Sequence, residues 1–174
     1  MSRLGRFMLV VLAFGAAFSI AGCTAGGEEA VEMQESQLEE YIAQADGAAA
    51  EIFAQIPEEE LLPGQDTGNF GGVRLVSEHY AEWPKYYYWA QIVVLKAEAP
   101  RTPTQVADDL EPWLEEQGWK RNTESEFPPS EESFERHYYR DGYHLIVRAY
   151  TIPPPHAQKL MVTIVTPHTD PGRG

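Results

Sequence analysis

The sequence SFERHYYRDGYHLIVRAYT, residues 133–151, has the pattern of a β-hairpin. Two runs rich in aromatic and β-branched residues flank Asp141-Gly142, a dipeptide typical of two-residue hairpin turns. Such a turn fixes the register of the two strands. The predicted pairs are Arg140 with Tyr143, Tyr138 with Leu145, Arg136 with Val147 and Phe134 with Ala149 on one face, and Tyr139 with His144, His137 with Ile146 and Glu135 with Arg148 on the other. The first face is mostly apolar and should contact helices, whereas the second face should be partly exposed to solvent.

Four other segments have the composition of strands: residues 73–80, 86–95, 119–125 and 160–166. Residues 86–95 are largely aromatic or β-branched on both faces, which is typical of a central strand. Because consecutive strands are joined by short turns, we predict an antiparallel sheet.

Two helices are predicted beside these strands. The first begins at Ser36, which has capping-box spacing with Glu39, and it ends before Pro57. Its apolar residues recur at steps of three and four, which also suits a coiled coil or a partner-binding helix, but packing on its own domain is the better interpretation. The second helix begins after Thr102, and Pro112 inside it predicts a kink or a division into two short helices.

Together these elements predict one α+β domain over residues 36–166. It would have two layers, a mainly antiparallel sheet of four to six strands and two helices on one face of that sheet. About 130 residues are enough for a single core. Residues 167–174 are polar and contain proline and glycine, so we predict a disordered tail.

The first 22 residues have the pattern of an export signal. Arg3 and Arg6 lie just before an apolar run over residues 7–20. This run is too short for a membrane span, which needs about 20 apolar residues. Small residues then precede the only cysteine of the chain in the sequence IAGC, residues 20–23. We therefore predict a cleaved signal peptide over residues 1–22.

The motif at residues 20–23 resembles the lipobox of bacterial lipoproteins. The resemblance implies that the signal is cut between Gly22 and Cys23, and that Cys23 carries a diacylglyceryl group on its sulfur. The protein would then be anchored to the extracytoplasmic face of the cell membrane, with residues 23–35 as a lipidated, flexible tether. The alternatives are an ordinary signal peptide with a chance cysteine and a signal anchor that stays uncut.

The body of the chain resembles the small, single-domain lipoproteins of actinobacteria of the LppA-like type. The shared features are a helix after the tether, then sheet and helix, with Gly118-Trp119 after the second helix. Such families mostly have no established activity, so the resemblance implies no site residues.

The mature chain is strongly acidic. The whole sequence has a formal charge of −14, and removing residues 1–22 takes away two arginines and no acid, leaving 11 basic against 27 acidic residues and a charge of −16. Nucleic acid and anionic headgroups should repel such a domain, so no nucleic-acid partner is predicted. Because the chain has one cysteine, no disulfide can form within it.

Motifs that carry chemistry are absent from the sequence. It contains no G-x-S-x-G, no second cysteine, no H-E-x-x-H and no glycine-rich phosphate loop, so we predict neither an enzyme nor a cofactor. His137 and His144 are diagonal neighbours on the wet hairpin face, about 7 Å apart, and could share a metal ion with Glu135 or Tyr139 as a third ligand. A pair of half-exposed strand histidines is the better interpretation.

Two functions are consistent with these features. The first is a non-catalytic domain that docks on another protein of the cell envelope, through an exposed face of the sheet or of the first helix. The alternative is a binding module for an apolar or glycan ligand, with an aromatic patch of Trp83, Tyr86, Tyr88 and Trp89 as the contact residues. An uncharacterised hydrolase or metal-dependent enzyme is the third hypothesis.

Overall fold

A computed structural model describes residues 25–80 and 82–172 of the protein. Two helices and a six-stranded antiparallel sheet confirm the predicted α+β class. The elements are α1 (Ala25–Phe53), β1 (Gly72–Leu75), β2 (Lys85–Leu95), α2 (Pro103–Glu116), β3 (Lys120–Arg121), β4 (Ser133–Arg140), β5 (Tyr143–Tyr150) and β6 (Gln158–Val165), with short 3-10 helices at Glu58–Glu60 and Thr123–Ser125. In the sheet the strands follow the order β1-β2-β6-β5-β4-β3.

The hairpin of β4 and β5 has the predicted register. All seven predicted pairs are present, from Arg140 opposite Tyr143 at the turn to Phe134 opposite Ala149. Asp141 and Gly142 have φ values of 50° and 83°, as a type I′ turn requires at its two central positions. The turn thus sets which side chains of both strands share a face.

Both helices pack on one face of the sheet. The fully or nearly buried residues of this face are Trp89, Val93, Tyr138, Leu145, Val147, Ala149, Leu160, Val162 and Ile164, and their partners on the helices are Ala45, Ala49, Ile52, Val106, Leu110 and Leu114. Pairing across the strands puts Trp89, Ile164, Leu145 and Tyr138 in one row beneath the helices. The arrangement confirms two helices on one face.

Helix α1 begins at Ala25, eleven residues before the predicted start at Ser36. The flexible tether predicted over residues 23–35 is therefore wrong from residue 25 onward, where the backbone is helical. Residues 28–35 contain several strong helix formers, and Gln34 is 5% exposed where it meets the C-terminal segment. Cys23 and the predicted signal peptide over residues 1–22 lie outside the described residues.

The C-terminal segment over residues 167–172 is packed against the domain, contrary to the predicted disorder. Thr169 is 3% exposed, and its backbone N–H donates to the Lys85 carbonyl at 2.8 Å. Its hydroxyl accepts from the Lys85 N–H at 2.9 Å and donates to Gln34 Oε1 at 3.1 Å. Thr169 therefore connects the start of β2 to α1 through hydrogen bonds. These bonds explain why the C-terminal segment is ordered.

Replacing Thr169 with valine should destabilise the fold by about 1–2 kcal/mol, because the Lys85 N–H and the Gln34 amide oxygen each lose a partner. Urea unfolding of the mature chain measures this change. Thr123→Val is the matched control at an exposed position, with an expected effect below about 0.5 kcal/mol. Equal effects at both positions would contradict the packing described for the C-terminal segment.

Three further details differ from the sequence predictions. Helix α2 runs from Pro103 to Glu116 as one element, so of the two alternatives at Pro112, a kink or a division, the division does not occur, because burying Leu110 and Leu114 outweighs the cost of about 3 kcal/mol for the proline. Strand β1 ends at Leu75 instead of residue 80. Strand β3 has only two residues, because the Asn122 side chain accepts from the Glu124 N–H and starts a 3-10 helix.

Candidate functional site: the open face of the sheet

The second face of the sheet carries the candidate site, and we call it the open face. Its strand residues are Gly72, Arg74, Tyr86, Tyr88, Ala90, Ile92, Val94, Lys120, Ser133, Glu135, His137, Tyr139, His144, Ile146, Arg148, Tyr150, Lys159, Met161, Thr163 and Val165. Most of them are half-buried, because neighbouring long side chains shield one another. Both described helices, α1 and α2, pack on the opposite face of the sheet.

Four hydrogen-bonded side chains on β4 and β5, with a fifth stacked on one of them, occupy one half of the open face. We call Glu135, His137, Tyr139, His144 and Arg148 the histidine cluster. His144 Nε2 lies 2.9 Å from His137 Nδ1, and His137 Nε2 lies 3.2 Å from Glu135 Oε2. The Arg148 Nε–H donates to Glu135 Oε1 at 2.6 Å, and the Tyr139 ring stacks on His144 with centroids 4.4 Å apart.

These contacts define the protonation pattern of the neutral cluster. An ionised carboxylate only accepts hydrogen bonds, so His137 donates from Nε2 to Glu135. In the neutral ring Nδ1 of His137 must then accept, and the donor is His144 Nε2. When His137 is neutral, a chain of hydrogen bonds runs from His144 through His137 to Glu135, and when His137 is protonated its Nδ1–H donates to His144 Nε2 instead.

Burial and the charges around it shift two pKa values in the cluster. Burial lowers the pKa of His144, and nearby His137 lowers it further, while Glu135 opposes the shift. Burial raises the pKa of Glu135, but hydrogen bonds from Arg148 and His137 outweigh that effect and the net pKa is lowered. At neutral pH the cluster therefore holds an ionised Glu135 and a neutral His144.

The stability of the fold should consequently decrease as the pH falls from 7.5 to 5.5. The unfolded chain binds a proton at His144 more readily than the folded chain, because the folded pKa lies below the ordinary value near 6.5. Glu135 acts in the same direction at still lower pH, since its contribution is present above its unfolded pKa and is lost below it.

Thermal unfolding at the two pH values tests this dependence. We expect His144→Gln to lose less stability than the unsubstituted protein between pH 7.5 and 5.5. His156→Gln, at an exposed histidine, is the matched control and should retain the original dependence. An unchanged pH dependence in His144→Gln would contradict the assignment of His144 as the group responsible.

The two histidines proposed from the sequence as metal ligands do face each other. Their facing nitrogens, His137 Nδ1 and His144 Nε2, are joined by a hydrogen bond, so they do not point together at a position for a metal ion. Within residues 25–80 and 82–172, no three side chains of His, Cys, Asp or Glu are grouped to hold a metal ion.

The four aromatic residues proposed for ligand binding do not form one patch. Trp89 is 4% exposed and packs against Phe53 on the helix side, with ring centroids 5.9 Å apart. Tyr86 and Tyr88 lie on the open face, and Trp83 precedes β2 with the Lys85 ammonium 4.0 Å from its ring centroid. Tyr88 and Trp89 are consecutive residues of a strand, so their side chains point to opposite faces of the sheet.

Arg74, Lys120 and Lys159 were missed as site residues because their strand pairings are long-range. Lys120 lies opposite Tyr139, Arg74 opposite Tyr86, and Lys159 opposite Val94, so all three belong to the open face. Alternation within residues 119–125 was the available signal for Lys120, since buried Trp119 must point the other way.

No family model, curated protein or solved structure matches this chain. Neither α1 nor α2, across the part of the chain that the structure describes, is long and apolar enough to cross a bilayer.

Proposed function

We propose that this protein is a lipoprotein of the cell envelope, anchored through Cys23 to the extracytoplasmic face of the membrane. Its domain is non-catalytic and docks on another envelope protein through the open face. The lipobox-like motif at residues 20–23 supports the anchor, together with the apolar run before it. The anchor and the docking surface are separate parts of the proposal and have separate tests.

The observation that carries the docking function is the apolar centre of the open face. Tyr88, Ile92, Ile146, Met161 and Val165 lie on adjacent strands, each only half-buried, with no helix of the core above them. The uncovered face of an antiparallel sheet is commonly polar. An apolar centre surrounded by polar groups is instead the anatomy of a protein–protein interface.

The histidine cluster supports this proposal because it holds the surface in one conformation. Glu135, His137 and Arg148 satisfy one another through hydrogen bonds, and Tyr139 is stacked on His144. Side chains fixed before binding lose less conformational entropy when a partner arrives. The cluster therefore acts as a preorganised part of the docking surface.

The start of α1 supports a position close to the membrane. The helix begins two residues after Cys23, and from Gly27 onward the first buried side chain is Gln34. The ten helical residues from Ala25 to Gln34 span about 14 Å. A helical connection of this length holds the domain near the headgroups in a more defined orientation than a flexible tether would.

Site-specific photocrosslinking in the producing cells tests the docking surface. A photoreactive amino acid in place of Tyr88, at the centre of the open face, should capture a discrete protein. The same amino acid in place of Ala43, on the solvent side of α1, should not capture that protein. Equal capture from both positions, or none from position 88, would contradict docking through the open face.

A further inference from the structure

The charge of the open face is opposite to that of the rest of the domain. The strand residues of this face include four cations, Arg74, Lys120, Arg148 and Lys159, and a single acid, Glu135. The whole chain has 27 acidic and 13 basic residues. The open face is therefore a cationic surface on an acidic protein.

Three of these cations are available to a partner. Arg148 pairs with Glu135, whereas Arg74, Lys120 and Lys159 are exposed and form no ion pair within residues 25–80 and 82–172. Three other arginines of the domain are held by acids, whereas Arg140 donates to the Gln117 carbonyl and lies over the Trp119 ring. The pairs are Arg101 with Glu60 and Asp109, Arg121 with Glu111 and Glu126, and Arg136 with Asp108 and Glu111.

The three free cations surround the apolar centre. Arg74 lies on edge strand β1 and Lys120 on edge strand β3, five strand spacings apart, which is about 24 Å. Lys159 lies six residues from Val165 along β6, a distance of about 20 Å. In the register of the strands, Tyr88, Ile146, Met161 and Val165 lie between these three positions, and Ile92 lies beside Met161 at the margin.

We propose that the docking partner presents an acidic protein surface, with carboxylates that pair with Arg74, Lys120 and Lys159 around an apolar contact. This inference rests on the proposed docking function and specifies the chemistry of the partner. Cations at the rim of an interface select complementary partners and increase the association rate. The remaining surface of the domain is acidic and repels such a partner, so the open face is the side on which it can bind.

A protein fits these observations better than a membrane surface does. The apolar side chains of the open face are half-buried among long polar neighbours, whereas insertion among lipids requires a largely exposed apolar surface. The mature chain, with its formal charge of −16 after loss of residues 1–22, is also repelled by anionic headgroups.

Two variants with the same change in net charge test the inference in the full, membrane-anchored chain. Arg74→Gln, Lys120→Gln and Lys159→Gln together remove three positive charges from the open face. Ala43→Glu, Ala50→Glu and Ala54→Glu together add three negative charges at exposed positions along or just after α1. Both sets are combined with the photoreactive amino acid at position 88.

We expect the glutamine variant to reduce capture of the partner about tenfold, and the glutamate variant to change it by less than about twofold. Mass spectrometry should find aspartate and glutamate in the partner segment joined to position 88. Thermal unfolding of both variants, measured in parallel, should give midpoints like that of the unsubstituted protein, since all six positions are exposed.

The possible results distinguish the two proposals. Protein capture that is unchanged in the glutamine variant overturns the acidic partner and leaves docking through the open face intact. Capture reduced equally by both variants also overturns it, because the effect would then follow net charge alone. Absence of any protein joined to position 88, or capture of lipid or glycan there, overturns both proposals.

Discussion

Replacing Cys23 with alanine, in a chain whose residues 1–22 are exchanged for an ordinary cleaved secretory signal, should move the protein from the membrane fraction to the soluble fraction. Two acyl chains contribute about 0.8 kcal/mol for each buried methylene, so a diacylglyceryl group holds a protein firmly, and an alanine side chain cannot accept it. The expected result is a change from almost complete membrane association to almost complete solubility, measured by fractionation and immunoblotting.

Thr24→Ala is the matched control for this prediction, because it changes the neighbouring residue and leaves the thiol intact. It should remain in the membrane fraction. If the unsubstituted protein kept residues 1–22 and carried no lipid at Cys23 in mass spectrometry, the uncut signal anchor would be the correct interpretation of those residues.

Replacing Leu145 with alanine should cost about 3–4 kcal/mol of the free energy of unfolding. Leu145 is 0% exposed, and it lies between Tyr138 on β4 and Ile164 on β6 in the row beneath the helices. Large-to-small substitutions at such sites lose the transfer free energy of the removed atoms and also leave a cavity. Trp89 and Trp119, which are 4% and 2% exposed, provide a fluorescence signal for urea unfolding of the mature chain.

The control for the core prediction is Leu62→Ala, at a leucine that is 42% exposed. Its effect should be below about 0.5 kcal/mol. A loss of less than about 1 kcal/mol in Leu145→Ala would contradict the placement of both helices over this face of the sheet.

Local chemistry explains why the hairpin could be predicted residue by residue. Asp141-Gly142 fixes a two-residue turn, and every pair of β4 and β5 then follows by counting outward. The same register placed Glu135 beside Arg148 and brought His137 near His144. The half of the candidate site that lies on β4 and β5 was therefore accessible from the sequence.

Long-range contacts explain the predictions that failed. The start of α1 and the order of the C-terminal segment depend on each other, because Gln34 meets Thr169, 135 residues away in sequence. Neither segment shows this contact in its own composition. The position of β6 between β2 and β5 is likewise non-local, and it sets where Lys159 and Tyr88 lie on the open face.

Capture of a partner from position 88 in living cells, with and without the anchor, is the most direct test of the account. The account predicts that the chain with Cys23 joins one discrete envelope protein from position 88. The Cys23→Ala chain should be equally folded and exported but should lose that product. Equal capture by both chains would show that anchoring is not needed for docking, and the absence of any specific product from either chain would contradict the docking function itself.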